Sequence, residues 1–476
     1  MGEISSLGTY LPLLRLDRKA AASALRWSGL GGGGAGHRAV AGWDEDALTL
    51  SVEAAEAALG AERAIDEVVF ASTSAHFIER LQSGLVVDAL HLARECRTSD
   101  VSGSRRCAVS ALLRALRGVG DDRILITAAD RRPTKPGNAA QLAWGDGAAA
   151  VVVSGEGFAR LRGSASLAHD LIDFYSSREH PTPYASEERF VREEAVNAVI
   201  APAIEAALKA AKVDASAIAH AVVVEPLAGM YRAIAAKAGL KVENAAEAVR
   251  AAAGDLGSAH ALFGLALVTE TAKPGDLILL VGFGSGCDAL VLEMTGEAPR
   301  SFGASEALRQ GLVLKDYVRF LSLAGGLDLD WGPRSEMEQK TTAPVLERYG
   351  RDVIGFIGGR DSTGNVQFPK TRVPVSPDAD PEVKLQDVRL ATETARIASF
   401  TADRLNFTPD PPFNFGLVQF DNGARVLMEF CDVPPGTMSV GDPMRMRLRI
   451  KAMDRKRGMR TYFWKAAPVT RPEMEV

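Results

Sequence analysis

The sequence predicts an α/β core built twice over, followed by an all-β barrel. Three observations carry this. The first 300 or so residues are rich in Ala, Gly and Val and alternate helical with strand-like segments, the pattern of an α/β fold. That stretch also repeats its own plan. The last hundred or so residues lose the helical period and alternate in strand fashion.

The elements follow in order. "ISSLGTYLP" near the start reads as a core strand. "SVEAAEAALGAERAIDEVVFAST" (Ser51 to Thr73) is an amphipathic helix, a short connection and an apolar strand; "IAPAIEAALKAAKVDASAIAHAVVVEP" (Ile200 to Pro226) repeats it. "DVSGSRRCAVSALLRAL" is matched by "AGDLGSAHALFGLALV": in both, a Gly/Ser turn opens a helix too apolar for a surface. "ILITAADRR…WGDGAAAVVVSGE" is matched by "LILLVGFGSGCDALVLEMTGE", each a strand, a Gly-rich turn and a strand. Three matched pairs in one order predict halves at 1–165 and 166–298, related by a pseudo-twofold axis. The two apolar helices form its centre, and a site is expected where their N-terminal turns meet.

Beyond residue 298 the character changes. Residues 299–384 begin with a helical linker, "EALRQGLVLKDYVRFLSLAGGL", and continue into a turn-rich, poorly periodic stretch. Residues 385–476 carry an Asp-Asn-Gly hairpin signal in "FNFGLVQFDNGARVLMEF", then "MRMRLRIKAMD" and "RTYFWKAAP", enough for a compact barrel of five or so strands.

Composition excludes several classes. The chain has 476 residues, 47% apolar and 24% charged, with net charge −5, which argues against a general nucleic-acid surface. Four cysteines without paired spacing argue for a reducing compartment. No signal peptide and no 18-residue apolar run is read in the sequence, so a cytoplasmic location without membrane insertion is expected.

On these residues the first 300 positions resemble the thiolase superfamily, closest to the branch of hydroxymethylglutaryl-CoA synthase and β-ketoacyl-acyl-carrier-protein synthase III. The resemblance rests on "ISSLGTYLP", "GHRAVAGWDEDALTLSVEAA", "WGDGAAAVVV" and "AKPGDLILLVGFGSGCDALVLE". The tail, with "ADRLNFTPDPPFNFGLVQFDNGARVLMEFCDV" and "GMRTYFWKAAP", is similar to the OB-fold domain that accompanies thiolase-like proteins. The resemblance implies a duplicated five-layer thiolase fold, a homodimer, and carbon–carbon chemistry on CoA thioesters. Coenzyme A thioester is then substrate, with no permanently bound cofactor. In the family a cysteine carries the acyl group while a histidine and an asparagine or second histidine move protons and hold the oxyanion.

All three of those positions differ here. Counting back from Ala111 as the relatives' spacing requires lands on Arg105. Cys107 lies two residues further in, about 200° around a helix. The histidine ending "VVVEP" is Glu225, and the asparagine of the second turn is Asp255. Arg105 facing Glu225 and Asp255 would form a self-satisfied triad. Three readings stay open: a buried ion network in a dead site; a cysteine-independent site in which Glu225 or Asp255 is the acid or base and Arg105 binds a substrate carboxylate or enolate oxygen; and Cys107 as a shifted nucleophile.

Further candidates are His76 in "STSAHFIERLQSG" and His260 at the start of the second buried helix. The backbone of Gly284, Ser285 and Gly286 is expected to touch substrate, since glycines let a ligand approach. Arg131, Arg132 and Lys135 are candidates for the CoA phosphates and Trp27 for adenine, by analogy. Cys287, Cys96 and Cys431 read as structural. Many relatives place a zinc ribbon before the barrel, but "GFIGGRDSTGNVQFPKTRVPVSP" has no cysteine, so no metal is expected. A non-catalytic partner that scaffolds a true thiolase is the alternative from another class.

Overall fold

The structure, a computed structural model, describes residues 2–30, 35–299, 303–332 and 350–474. Part of the expected linker, 333–349, lies outside the described residues. In the first half, β1 (Glu3–Tyr10), α1 (Ala47–Leu59), β2 (Glu67–Ala71), β3 (Arg97–Val101), α2 (Cys107–Gly118), β4 (Ile124–Asp130) and β5 (Gly147–Ser154) follow one another. The second half has β6 (Ala159–Ala168), α3 (Ala201–Ala211), β7 (Ile218–Val223), α4 (Ala245–Ala253), α5 (His260–Thr269), β8 (Leu277–Phe283) and β9 (Gly286–Met294).

The duplication is visible in the strand order. From a shared joint, where Glu3 pairs with Arg160 and Ile4 with Ala159, the first half runs outward β1-β5-β4-β2-β3 and the second β6-β9-β8-β7. The parallel pairs match (β2 with β4, β7 with β8), and so do the antiparallel ones. The outermost strand of the second half shrinks to one parallel bridge, Ala221 to Asn244, where the Asn244 amide accepts from Val223 N and donates to Val223 O.

Strand alternation then sorts side chains into layers. Val68, Phe70, Leu125 and Val152 face α1, while Val69, Ala71, Ile126 and Val151 face inward onto α2 and α5. Leu280, Leu290 and Leu292 close on the same two helices from the other half. Leu279, Val281 and Val291 turn outward to α3. The result is helix, sheet, paired central helices, sheet, helix: the five-layer thiolase fold. The central helix α5 is buried around its whole circumference, as its apolar sequence requires.

The linker departs from a purely helical reading. Between helices Ala304–Arg309 and Tyr317–Leu323 lies a strand, Leu312–Leu314, parallel to Leu14–Asp17. The turn-rich stretch supplies two strands, Ile357–Arg360 and Val366–Gln367, of a three-stranded sheet whose third, Gln386–Arg389, comes from the start of the segment expected to be barrel. Phe356 and Phe368 from this stretch and Phe463 of the barrel pack ring on ring, 4.8 to 5.8 Å between centroids. No group of metal-binding side chains is found among the described residues.

The barrel is β10 (Ala395–Asp403), β11 (Phe413–Phe420), β12 (Arg425–Glu429), β13 (Pro443–Asp454) and β14 (Met459–Pro468). The Asp421–Gly423 turn joins β11 to β12, as the hairpin signal predicts. A parallel bridge from Phe430 to Ala466 closes the barrel. It docks on the core through buried charge: Arg447 on Glu53 at 2.6 Å, Arg449 on Glu45 at 3.1 Å, and Lys465 on Asp44 at 2.8 Å.

Candidate active site

Between core and barrel lies a cleft of about 1960 Å³. Its floor is the turn before α2 together with Arg132, and its outer wall is the β13–β14 hairpin; at the floor the turn before α5 meets the "WGDG" turn. Two glycines let the turns come together: a Cβ at Gly145 would lie 1.8 Å from Ala253 O, and Gly254 (φ +86°) approaches Gly145 N in return. Gly145 N donates to Asp255 O and Asp255 N to Ala143 O, both at 2.9 Å, so the Asp255 backbone is clamped to the "WGDG" turn.

Asp130, at the end of β4, ties the surrounding loops together. It accepts from the hydroxyls of Ser72, Thr73 and Ser74, from Thr73 N, and from Ser258 N at 2.7 Å. The loop that bears His76 is thereby fixed to the turn before α5.

Asp255 is buried between two guanidiniums. Arg132 Nη2 donates to its Oδ1 at 2.9 Å, Arg105 Nη1 to its Oδ2 at 3.3 Å, and Gly257 N adds 2.8 Å. Burial alone would raise the Asp255 pKa, but Arg132 and Arg105 outweigh it and hold the carboxyl well below the usual range. Each arginine lies over a ring, Arg132 3.9 Å from the Trp144 centroid and Arg105 4.5 Å from that of Phe174. The two rings are themselves 4.8 Å apart. Arg105 also pairs with Asp173, whose side chain comes from the segment leading into the Phe174–Tyr175 strand. Arg105 and Arg132 are only 6% and 8% exposed, and Arg132 Nε and Nη1 are buried without a partner.

The expected triad is therefore corrected in one member. Arg105 does meet Asp255, but its second carboxylate is Asp173, not Glu225. Glu225, 1% exposed, turns to α4, where its Oε1 lies 3.9 Å from Arg250 and accepts from Gly229 N at 3.1 Å. Its Oε2 is buried without a partner, and burial, against Arg250 and the Gly229 amide, raises its pKa. Glu225 is not among the residues that line the cleft.

Cys107 is 6% exposed and belongs to the central core, whereas Arg105, two residues earlier, lines the cleft. Burial, with Asp130 nearby, pushes its thiol up to about 12. His260 is fully buried, with Nδ1 accepting from Leu256 N at 3.1 Å and Nε2 donating to Ala246 O at 3.0 Å. Burial lowers its pKa to about 4, so it is a neutral core histidine that holds the turn. His76 does line the cleft, with Nε2 2.9 Å from Gly458 O of the β13–β14 hairpin. Partial burial, with Arg460 nearby, lowers its pKa.

Gly284 and Ser285 reach the cleft. Ser285 holds a left-handed φ of +47°, unusual for a residue with a Cβ, and Gly284 O accepts from Ser104 Oγ at 2.6 Å. Gly286 does not reach it: a Cβ there would meet Leu167 O at 2.2 Å. Arg131 lines the cleft but spends its guanidinium on the carbonyls of Glu45 and Leu323. Trp27 is 88% exposed and outside the cleft lining, which leaves its ring a surface group rather than a wall of the pocket. Lys135 likewise lies outside the lining, and Cys287 is wholly buried. Sequence reasoning missed Asp173 and Phe174, which no motif marks, and the stacking role of Trp144, which "WGDG" does mark.

Comparison with known proteins agrees with this architecture. The chain is 28% identical over 301 residues to hydroxymethylglutaryl-CoA synthase of Pyrobaculum neutrophilum, covering 60% of this chain and 86% of that one. To the Aeropyrum pernix synthase it is 28% identical over 359 residues, covering 72% and 96%. A solved HMG-CoA synthase in complex with CoA superposes with a TM-score of 0.60 at 19% identity, covering 72% and 95%. The 3-oxoacyl-(acyl carrier protein) synthase III of Pseudomonas aeruginosa gives 0.54 at 21%, covering 63% and 99%. Residues 387–449 match the model for the C-terminal OB-fold domain of ChsH2. The chain is thus similar to the hydroxymethylglutaryl-CoA synthases over a thiolase-fold core, and carries behind it an OB-fold domain of the ChsH2 type.

Proposed function

We propose that this chain is an enzyme that acts on a CoA thioester, forming or cleaving a carbon–carbon bond in a β-oxo or β-hydroxyacyl group without a covalent acyl-enzyme. One observation carries the reading: Arg105, at the mouth of α2, and Arg132 line the cleft with Asp255 of the turn before α5 paired to both, while Cys107 faces the core. Similarity to hydroxymethylglutaryl-CoA synthases supports the substrate class.

The roles follow from charge. Arg105 and Arg132 bind the anionic oxygens of the substrate, a carboxylate or the enolate oxygen that develops as the bond forms or breaks. Asp255, kept ionised by both, is too weak a base to take a proton at neutral pH, and its part is to hold the guanidiniums in place. His76 is the better proton acceptor. Its Nε2–H is committed to Gly458 O, which leaves the lone pair on Nδ1, and its lowered pKa keeps the ring neutral.

The test is turnover of β-oxo and β-hydroxyacyl-CoAs by the full chain, with intact mass for any acyl adduct. Turnover without an adduct, unchanged in Cys107→Ala, is expected. An acyl mass on Cys107 would establish conventional acyl transfer instead. The pairing of Arg105 with both Asp255 and Asp173 favours a second reading, a non-catalytic partner of a thiolase. No turnover of any thioester, with stable binding to a thiolase, would move that reading to the front.

A further inference from the structure

The two carboxylates on Arg105 are held very differently. Asp255 sits on backbone fixed from both sides by the "WGDG" turn, and its side chain also accepts from Gly257 N. Asp173 belongs to a hairpin whose strands, Phe174–Tyr175 and Tyr184–Ala185, pair over two residues each. Its Oδ1 accepts only from Phe174 N, its own neighbour, and its backbone oxygen from Ser186 N at 2.9 Å. The outer face of this hairpin is exposed, with Tyr175 and Tyr184 in contact only with each other at 5.8 Å among the ring pairs described. Yet the Asp173 carboxylate is delivered to the deepest cation of the cleft.

Charge explains why it is there. Arg105 and Arg132 bring two positive charges into a nearly dry pocket, and Asp255 supplies one negative charge. The buried Asp130 also acts on Arg132 through its charge, so Arg105 is the guanidinium that a further anion completes, since an under-compensated charge at this depth is strongly disfavoured. Arg132 Nε and Nη1, buried and unpartnered, mark donor capacity that Asp255 does not use. Phe174, the next residue, lies over Arg105 and against Trp144, so the hairpin that delivers the carboxylate also roofs the pocket.

We propose that the Arg105–Arg132 pair is a carboxylate-binding subsite, that Asp173 occupies it as a tethered internal competitor, and that the acyl group this cleft takes carries a free carboxylate. The substrate carboxylate displaces Asp173 and the hairpin moves with it, so the pocket opens only to a group that restores the charge balance. A thioester with an uncharged acyl chain leaves Arg105 and Arg132 sharing Asp255 if it displaces the hairpin, and is excluded. For the rest of the ligand the inference rests on the acyl-CoA reading above; for the carboxylate it stands on the arginines alone.

The experiment is calorimetric titration of the full chain with glutarate and with its uncharged diamide, in wild type, Asp173→Asn and Arg105→Lys, each checked by thermal melting. A short tether gives the internal carboxylate an effective concentration in the millimolar range, so removing its charge should tighten glutarate binding roughly tenfold. The diamide should bind neither form, and Arg105→Lys, which keeps charge but loses the planar fork, should weaken glutarate. Glutarate binding that is unchanged or undetectable in Asp173→Asn overturns the proposal, as does equal binding of glutarate and diamide. Succinyl-CoA and butyryl-CoA separate the two readings. If glutarate tightens in Asp173→Asn while neither thioester binds, the subsite stands and the acyl-CoA reading fails. If both thioesters bind wild type equally and glutarate does not respond to Asp173→Asn, the acyl-CoA reading stands and the subsite fails.

Discussion

Two buried ion networks sit less than a domain apart and are built on opposite plans. At the junction of core and barrel, Arg447, Arg449 and Lys465 project from β13 and β14, while Glu45, Glu53 and Asp44 project from α1 and the turn before it. Glu53 stands on α1 and the three cations on strands, Asp44 and Glu45 lie in the turn before α1, and Asp432, on the bend after β12, is shared by Arg447, Arg449 and Arg471. At the cleft floor the arginines leave turns and loops, one carboxylate comes from a two-residue hairpin, and Arg132 leaves two nitrogens without a hydrogen bond among the described residues where each joint arginine leaves one. The first network locks two domains in one register. The second has one replaceable member, which is what a binding site needs and a joint does not.

The largest expected effect is at the joint. Asp432→Ala strips three buried arginines of a shared, largely buried acceptor. A loss of about 3–5 kcal/mol is expected, the usual cost of breaking a buried pair from one side, read as a lower urea midpoint and as earlier proteolytic release of the barrel. Burial would raise the Asp432 carboxyl, but Arg449, Arg447 and Arg471 hold it well below the usual range. Its stabilising contribution is therefore complete above the unfolded carboxylate value, near 3.8, and fades as pH falls further. The acid limb of the stability profile should flatten in the variant.

Asp255→Asn should be milder in stability and severe in activity. The hairpin carboxylate of Asp173 remains to answer one of the two guanidiniums, so roughly 2–3 kcal/mol is expected, less than at the joint. Turnover of a β-oxo or β-hydroxyacyl-CoA should fall on the order of 100-fold, because the arginines lose the group that aims them. Equal stability losses for Asp255→Asn and Asp432→Ala would erase the distinction between site and joint.

Smaller still is Cys107→Ala, about 1 kcal/mol for a shallow cavity in the central layer, with turnover retained and no acyl mass in either protein. An acyl adduct in wild type would show that the core opens far enough to expose a thiol that burial keeps protonated.

How much of this the sequence carries follows from how local each signal is. The duplication is legible because alternation and helical period repeat in matched order, and the Asp421–Gly423 turn is required by geometry within a few residues, whereas the need for Gly145 and Gly254 comes from a contact between distant segments. Arg105 meeting Asp255 is legible because both sit at the mouths of the two buried helices. Glu225 is misplaced by the same reasoning, since a side chain at a strand end can turn either way and Arg250, on α4, decides the direction. Asp173 is invisible, because its two-residue pairing leaves no periodicity to read. In "MRMRLRIKAMD" the alternation marks the strand, but only the docked core shows that its charged face is buried.

Glu225→Gln gives the smallest effect and the finest test of the comparison. This carboxyl is as buried as those of the joint, yet it has one distant cation, one backbone donor and, among the described residues, one bare oxygen. Its pKa in the folded chain is raised, burial outweighing Arg250 and the Gly229 amide, so the folded state favours the protonated form. Ionisation above that value costs stability, and the cost is returned as pH falls through it toward the unfolded 4.5. Glutamine mimics the protonated group. The variant should be as stable as wild type or more so at pH 8, by no more than ~1 kcal/mol, and the difference should vanish by pH 4, a sign opposite to that of Asp432→Ala. Urea titrations at the two pH values measure it. A clear loss at pH 8 would mean that Glu225 is a paired charge of the joint's kind, and that Arg250 holds it far more tightly than a 3.9 Å contact implies.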